Sequence, residues 1–199
     1  MIRKVLDLTR KELQAFFDNF NIGKEVDSMR IVSVVLSNIL DQDGKIETIV
    51  NSSGGADHSL VITLINIEEE KHLKPPPAIK ELNRQFIVKQ NPEINLNLYV
   101  LLTAFSSHYE TSLGIISDAI KFFQSKHIFN HSNTPALDVK IEKIIADLFT
   151  LTFEQQNYLW SMMGVKYLPS VMYKLRMLSI DDEQIKDKVK PVKEITISD

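Results

Sequence analysis

The sequence predicts an α/β (α+β) fold in the order helix, three strands, helix, strand, helix, strand. Apolar residues recur at steps of three and four over residues 2–20 and 109–125, the period of a helix with one buried stripe. Between and after them lie β-branched or alternating runs at 30–40, 58–67, 94–103 and 169–178. A chain of 199 residues, 44% hydrophobic and 25% charged, can bury a substantial core within one domain. We assign that domain to residues 1–180 and a charged C-terminal tail to 181–199.

The first helix places Ile2, Val5, Leu6, Leu13, Phe16, Phe17 and Phe20 largely on one side and Lys4, Arg10, Lys11 and Glu12 elsewhere. A membrane surface would accept such a helix, but the protein's own sheet is the favoured partner. Arg30–Leu40 is rich in Val and Ile and reads as a strand, ended by a turn at Asp41–Gly44. His58–Ile67 is almost continuously apolar, as in a strand covered on both faces, and Glu68, Glu69 and Glu70 end it. Pro75, Pro76 and Pro77 stiffen an excursion over 71–93. In Ile94–Thr103, Ile94, Leu96, Leu98, Val100 and Leu102 share one face, and Asn95, Asn97, Tyr99 and Leu101 the other.

The second helix carries Leu113, Ile116, Ile120 and Phe123, with Ile115, Ala119 and Phe122 widening the stripe. Asn130–Pro135 reads as a loop. Residues 141–149 fit either period, and a strand is preferred because Ile and Phe dominate. Leu151–Leu178 holds the only Trp and reads as helix, tight turn and strand. Thr152 is its N-cap with Gln155 as capping-box partner, Gly164 ends the helix, and Pro169 opens the strand. On that strand Val171, Tyr173, Leu175 and Met177 share a face. Lys174 and Arg176 point the other way, toward a partner or toward solvent. The 181–199 segment is highly charged, as in chains disordered in isolation. Its alternating end, with Ile195 and Ile197, suits addition to a neighbouring sheet edge.

Composition excludes several functions. The formal charge of −3 offers no basic stripe for nucleic acid. The absence of cysteine removes disulfides and thiolate metal sites. No span approaches the roughly 18 apolar residues of a membrane crossing, and the charged N-terminus is unlike a secretory signal. Synthesis and folding in the cytoplasm are expected.

The chemical motifs are weak. His127 and His131 have metal-ligand spacing, but Asn130, Asn133 and Pro135 oppose a helix there. Asp41–Ile46 resembles the middle of a calcium loop whose first and last ligand positions would be the apolar Ile39 and Val50. Glu68–Glu70 would serve acid/base chemistry only with a second cluster that includes a His; a charged strand end or a rim contact is the simpler reading. Ser106, Ser107 and His108 are sequence neighbours, which does not build a triad. Gly54–Gly55 lacks the Lys and Ser/Thr of a phosphate loop. Asn95 and Asn97 read as groups that satisfy buried backbone. No catalytic, cofactor or metal residue is assigned.

Several segments combine into a known order. LVITLINIEEE (60–70), NLNLYVLLTAF (95–105), YETSLGIISDAIKFFQ (109–124), TPAL (134–137) and the run 151–178 with LW, YLPS and YKLRML resemble the N-terminal-domain family of tail-cap proteins. These are tube and tail terminators of phage-tail-like contractile injection systems. The resemblance implies a mixed, mostly antiparallel β-sheet flanked by helices, similar to phage tail terminator proteins. It implies a homo-oligomeric ring, a hexamer, that ends the inner tube and ties it to the last layer of sheath protein in a particle that can be released from the cell. Some members carry a further C-terminal domain. Candidate contacts are Glu68, Glu69, Glu70, Pro75, Pro76, Pro77, Lys174, Arg176, Ile195 and Ile197. The alternatives are a sheath or baseplate adaptor of the same particle, or a small hydrolase.

Overall fold

The computed structural model describes residues 1–20, 31–39, 58–70, 79–82, 86–89, 94–180 and 187–189. Helix α1 (Ile2–Phe20) is followed by strands β1 (Val32–Leu36), β2 (His58–Glu69), β3 (Ile79–Leu82), β4 (Phe86–Lys89) and β5 (Ile94–Ser106). Then come α2 (Tyr109–Ser125), β6 (Ile128–Asn130), β7 (Lys143–Phe149), α3 (Phe153–Met163), β8 (Ser170–Ile180) and β9 (Asp187–Val189). Six strands form one sheet in the order β1-β2-β5-β8-β7-β6. β1 is parallel to β2, and every other neighbouring pair is antiparallel. This is the mixed, mostly antiparallel sheet that the family resemblance implies.

The main core lies on one face. From α1 it takes Val5, Leu6, Leu8, Leu13 and Phe17, and from α2 Ile115, Ala119, Phe122 and Phe123. These pack on Leu60 and Ile62 of β2, Leu98, Val100 and Leu102 of β5, and Tyr173 and Leu175 of β8. The alternation expected for β5 and β8 is therefore present. Phe123 stacks on Tyr173 with ring centroids 4.2 Å apart, and each such aromatic contributes a few kcal/mol, about 1.5–3, by leaving water.

The stripe of α2 is rotated from its expected centre. Leu113 is exposed and Ile116 only partly buried, while Ser112 and Asp118 are buried. Lys121 pairs with the Asp118 carboxylate at 3.0 Å, and such a neutralised charge is tolerated on the inner face.

The second face carries a smaller core. Leu159 and Trp160 of α3 meet Leu101, Met172 and Ile39. Helix α3 begins at the expected capping box: Thr152 accepts from Gln155 N, and the Gln155 side chain accepts from Thr152 N. It ends at Gly164, whose φ of 67° is left-handed, a conformation that favours glycine.

Within residues 141–149 the expected strand is present as β7, over Lys143–Phe149. The loop expected at Asn130–Pro135 is preceded by the short strand β6, which pairs with β7 through Ile128, Phe129 and Asn130. The 71–93 excursion contains the β3–β4 hairpin, and β9 from the C-terminal segment pairs with β4.

Candidate assembly interface

The second face of the sheet divides into two zones. Beneath α3 it is apolar: Leu101, Met172 and Phe149 lie in line on β5, β8 and β7. Beyond α3 it becomes a ladder of polar groups. Register sets Asn66 opposite Tyr99, Tyr99 opposite Lys174, and Lys174 opposite Asp147. The next row sets Glu68 opposite Asn97 and Asn97 opposite Arg176. Cross-strand neighbours at this spacing interact directly.

The Tyr99 hydroxyl donates to Glu68 Oε2 at 2.8 Å, and Asn66 Nδ2 donates to Glu68 Oε1 at 3.3 Å. Asn97 Nδ2 donates to Glu70 Oε2 at 3.0 Å. Lys174 Nζ lies 4.0 Å from the same Glu70 oxygen and 5.9 Å from the centre of the Tyr99 ring. Arg176 Nε reaches Asp147 Oδ2 at 2.7 Å. Burial, and then the hydrogen bond and charge of Glu68, push the Tyr99 phenol up to about 12: each disfavours a phenolate.

Asn97 corrects one expectation. Its side chain serves a carboxylate, not buried backbone, and among the described residues its Oδ1 has no partner. The cause is its register: it faces the ladder, where Glu70 is within reach and β5 already satisfies its own backbone.

The candidate contact residues thus separate. Glu68, Glu70, Lys174 and Arg176 converge on the ladder, Lys174 and Arg176 with acidic partners inside the chain. Glu69, opposite Leu96, turns to the other face. Pro75, Pro76, Pro77, Ile195 and Ile197 lie outside the described residues. Sequence reasoning missed Tyr99, Asn66 and Asp147 as members; alternation along β5 was a usable signal for Tyr99, whereas the bulge before Asn66 hides that residue from alternation.

Beside the ladder, α3 leaves three large apolar side chains uncovered among exposed polar ones such as Asn157 and Ser161. Phe153, Tyr158 and Met162 are 92%, 65% and 72% exposed. Tyr158 and Met162, one turn apart, form the lip of an open groove of about 360 Å³ whose floor includes Ile65, Phe149, Leu159 and Met172. Tyr158 also donates to Glu154 at 3.2 Å.

Little of the described structure suggests chemistry. His58 Nδ1 and Ser106 Oγ lie 3.0 Å apart across β2 and β5, but Ser106 also accepts from His108 N. The described residues give His58 no carboxylate partner. The partners seen for Glu68 and Glu70 are Asn66, Tyr99, Asn97 and Lys174, with no His among them. No group of three or more potential metal ligands occurs among the described residues. None of their helices is long and apolar enough to cross a membrane.

A curled sheet with two helices on one face and one on the other is a tube-terminator type of fold. The chain is similar to the sheath/tube terminator of PVC, an extracellular contractile injection system, in its extended state: TM-score 0.64, 12% identity, covering 100% of this chain and 62% of that one. It is also similar to the tube-terminating cap of the anti-feeding prophage, with TM-score 0.61, 12% identity and coverage of 98% and 60%. The chain spans less than two thirds of the length of either. Comparison with curated protein sequences gives no match. The Pvc16 N-terminal domain family matches over residues 9–194, and the chain belongs to that family.

Proposed function

We propose that this chain is a structural cap. It closes into a homo-oligomeric ring, a hexamer, on the end of the inner tube of a contractile injection system. The ring stops tube growth and holds the last sheath layer. Its partners are further copies of itself, the inner tube protein and the sheath protein, and it catalyses no reaction. It is made in the cytoplasm and becomes part of a particle that acts outside the cell. Residues 1–180 form the ring body, and 181–199, held to β4 of its own chain through β9, ends in an arm to a neighbour.

The observation that carries this reading is the pairing of uncovered apolar side chains on α3 with a fixed charge ladder on one side of a tube-terminator fold. Apolar patches beside ordered polar groups mark contact surfaces. A ring built by one repeated head-to-tail contact satisfies every such surface without open growth.

Two experiments test it. Negative-stain images of the purified protein should show closed rings. Particles assembled without the protein should have tubes of unregulated length and loosened sheath. Tubes of normal length with missing baseplates would instead make it an adaptor and overturn the reading.

A further inference from the structure

We propose that the groove between α3 and the sheet receives residues 190–198 of a neighbouring copy. The inference rests on the ring reading and names the occupant of one of its contacts. The groove is open, and its volume of about 360 Å³ is near the lower end for ligand sites. It therefore takes a few side chains, not a folded element. Its lip, Tyr158 and Met162, leaves large apolar surface in water unless something lies against it.

Charge narrows the choice. Among the groove's lining residues Glu68 is the one charged side chain, and Glu154 lies beside Tyr158. The chain's own segment after β9 carries lysines ahead of two isoleucines, and in an extended strand its Glu194 points away from the side shared by Lys193, Ile195 and Ile197. Lys190 and Lys193 precede Ile195 and Ile197 in KPVKEITISD. In an extended strand Ile195 and Ile197 point the same way, about 6.6–6.8 Å apart, and can enter the groove together while Lys193 approaches Glu68 or Glu154.

Length permits donation to another subunit. β9 ends at Val189, and the ten residues from 190 to 199 reach at most about 33–36 Å when extended. One arm given and one groove filled per subunit is a heterologous contact, the kind that closes a ring.

The test uses the full-length chain with the photoreactive residue p-benzoylphenylalanine in place of Ile197, irradiated after assembly and imaged in parallel. Cross-linked dimers and higher multimers are expected on denaturing gels, joined through the tryptic peptide 144–166 that contains α3. Met162→Lys should reduce that product at least tenfold, with circular dichroism showing an intact fold. Tyr158→Ala should reduce it too, which covers the case in which Met162→Lys fails to fold. Products confined to single chains, joined to other peptides, or undiminished in both variants would overturn the groove assignment. Rings with a cross-link elsewhere refute the groove alone. A groove cross-link without rings refutes the ring reading alone.

Discussion

Replacing Gln14 by Met removes three hydrogen bonds: two to the edge strand β1 and an exposed one, in which Nε2 also donates to Asp18 Oδ1 at 2.9 Å. β1 lies at one end of the sheet order, so among the described residues one side of its backbone has no strand neighbour. The Gln14 carboxamide fills part of that gap from α1. Its Nε2 donates to Val32 O at 3.0 Å, and its Oε1 accepts from Val34 N at 2.8 Å. One side chain thus imitates a residue of an absent strand and blunts an edge that would otherwise recruit another chain. Methionine has nearly the same length and a similar helix propensity, so the substitution isolates the amide. Each edge bond contributes about 0.5–1.5 kcal/mol net, which gives a loss of about 2 kcal/mol for the two, and the exposed bond to Asp18 adds little. In a chain of 199 residues that lowers Tm by about 4–8 °C. Gln14→Glu sharpens the test. Its ionised carboxylate still accepts from Val34 N but repels Val32 O and the Asp18 carboxylate one turn on, whereas the protonated acid can donate to Val32 O. The folded state then favours the neutral form and raises the pKa of the introduced carboxyl. Its contribution is present below the ordinary glutamate value of about 4.3 and is lost as pH rises through the folded pKa. Thermal melts of both variants at pH 4 and pH 7, with sedimentation to detect edge pairing, decide the matter. A Gln14→Met protein that melts within 1 °C of the parent and sediments identically would refute the reasoning.

Three further expectations follow from single contacts. Thr152→Ala removes the hydroxyl that accepts from Gln155 N while keeping the backbone N–H that donates to Gln155 Oε1, and should destabilise by about 1 kcal/mol, measured by urea unfolding with Trp160 fluorescence; no change would mean α3 does not depend on its cap. Ultraviolet titration should show Tyr99 ionising near 12, a step absent in Tyr99→Phe and lowered in Glu68→Gln, beside a late step from Tyr173, which burial also raises and which both variants keep. The native state keeps the Tyr99 proton after the unfolded chain releases its own at about 10, so the associated stability is present below pH 10 and lost toward pH 12; a Tyr99→Phe protein with the parent's alkaline melting slope would contradict this. Arg176→Ala should change stability by less than about 1 kcal/mol, because Arg176 and Asp147 are each 44% exposed. The same variant should weaken ring formation, and unaltered assembly would remove Arg176 from the proposed interface.

The parts legible in the sequence were those set by period. Alternation in β5 and β8 located both faces of the sheet, and the capping box located α3. Period failed where tertiary contacts chose among near-equivalent apolar residues. On α2 both Leu113 and Ile115 fit a stripe, and packing against α1 and the sheet selected Ile115. β6 was invisible because three residues carry no period. The exposure of Phe153, Tyr158 and Met162 was equally hidden, since an apolar helix looks the same whether its partner is its own sheet or another subunit.

The ladder itself depends on one residue that alternation would misplace. Leu60, Ile62 and Leu64 face the main core, and strict alternation would send Asn66 and Glu68 to that same face. The register shift between Leu64 and Asn66 inserts Ile65 as an extra residue, and everything after it changes sides. Leu64 opposes Val100 and Asn66 opposes Tyr99, neighbours on β5 with only Ile65 unmatched. Deleting Ile65 should therefore leave the register on both sides intact and convert the bulge to regular strand. The cost is the contact of a half-buried Ile with the small core, about 1–2 kcal/mol. Tyr99 should still titrate near 12, because Glu68 remains opposite Asn97. Deleting Ile62 instead shifts the core register and should prevent folding. A protein lacking Ile65 that folds but has lost the late Tyr99 titration would show that the bulge does more than set the phase of the strand, and that Glu68 reaches Tyr99 only through its distorted backbone.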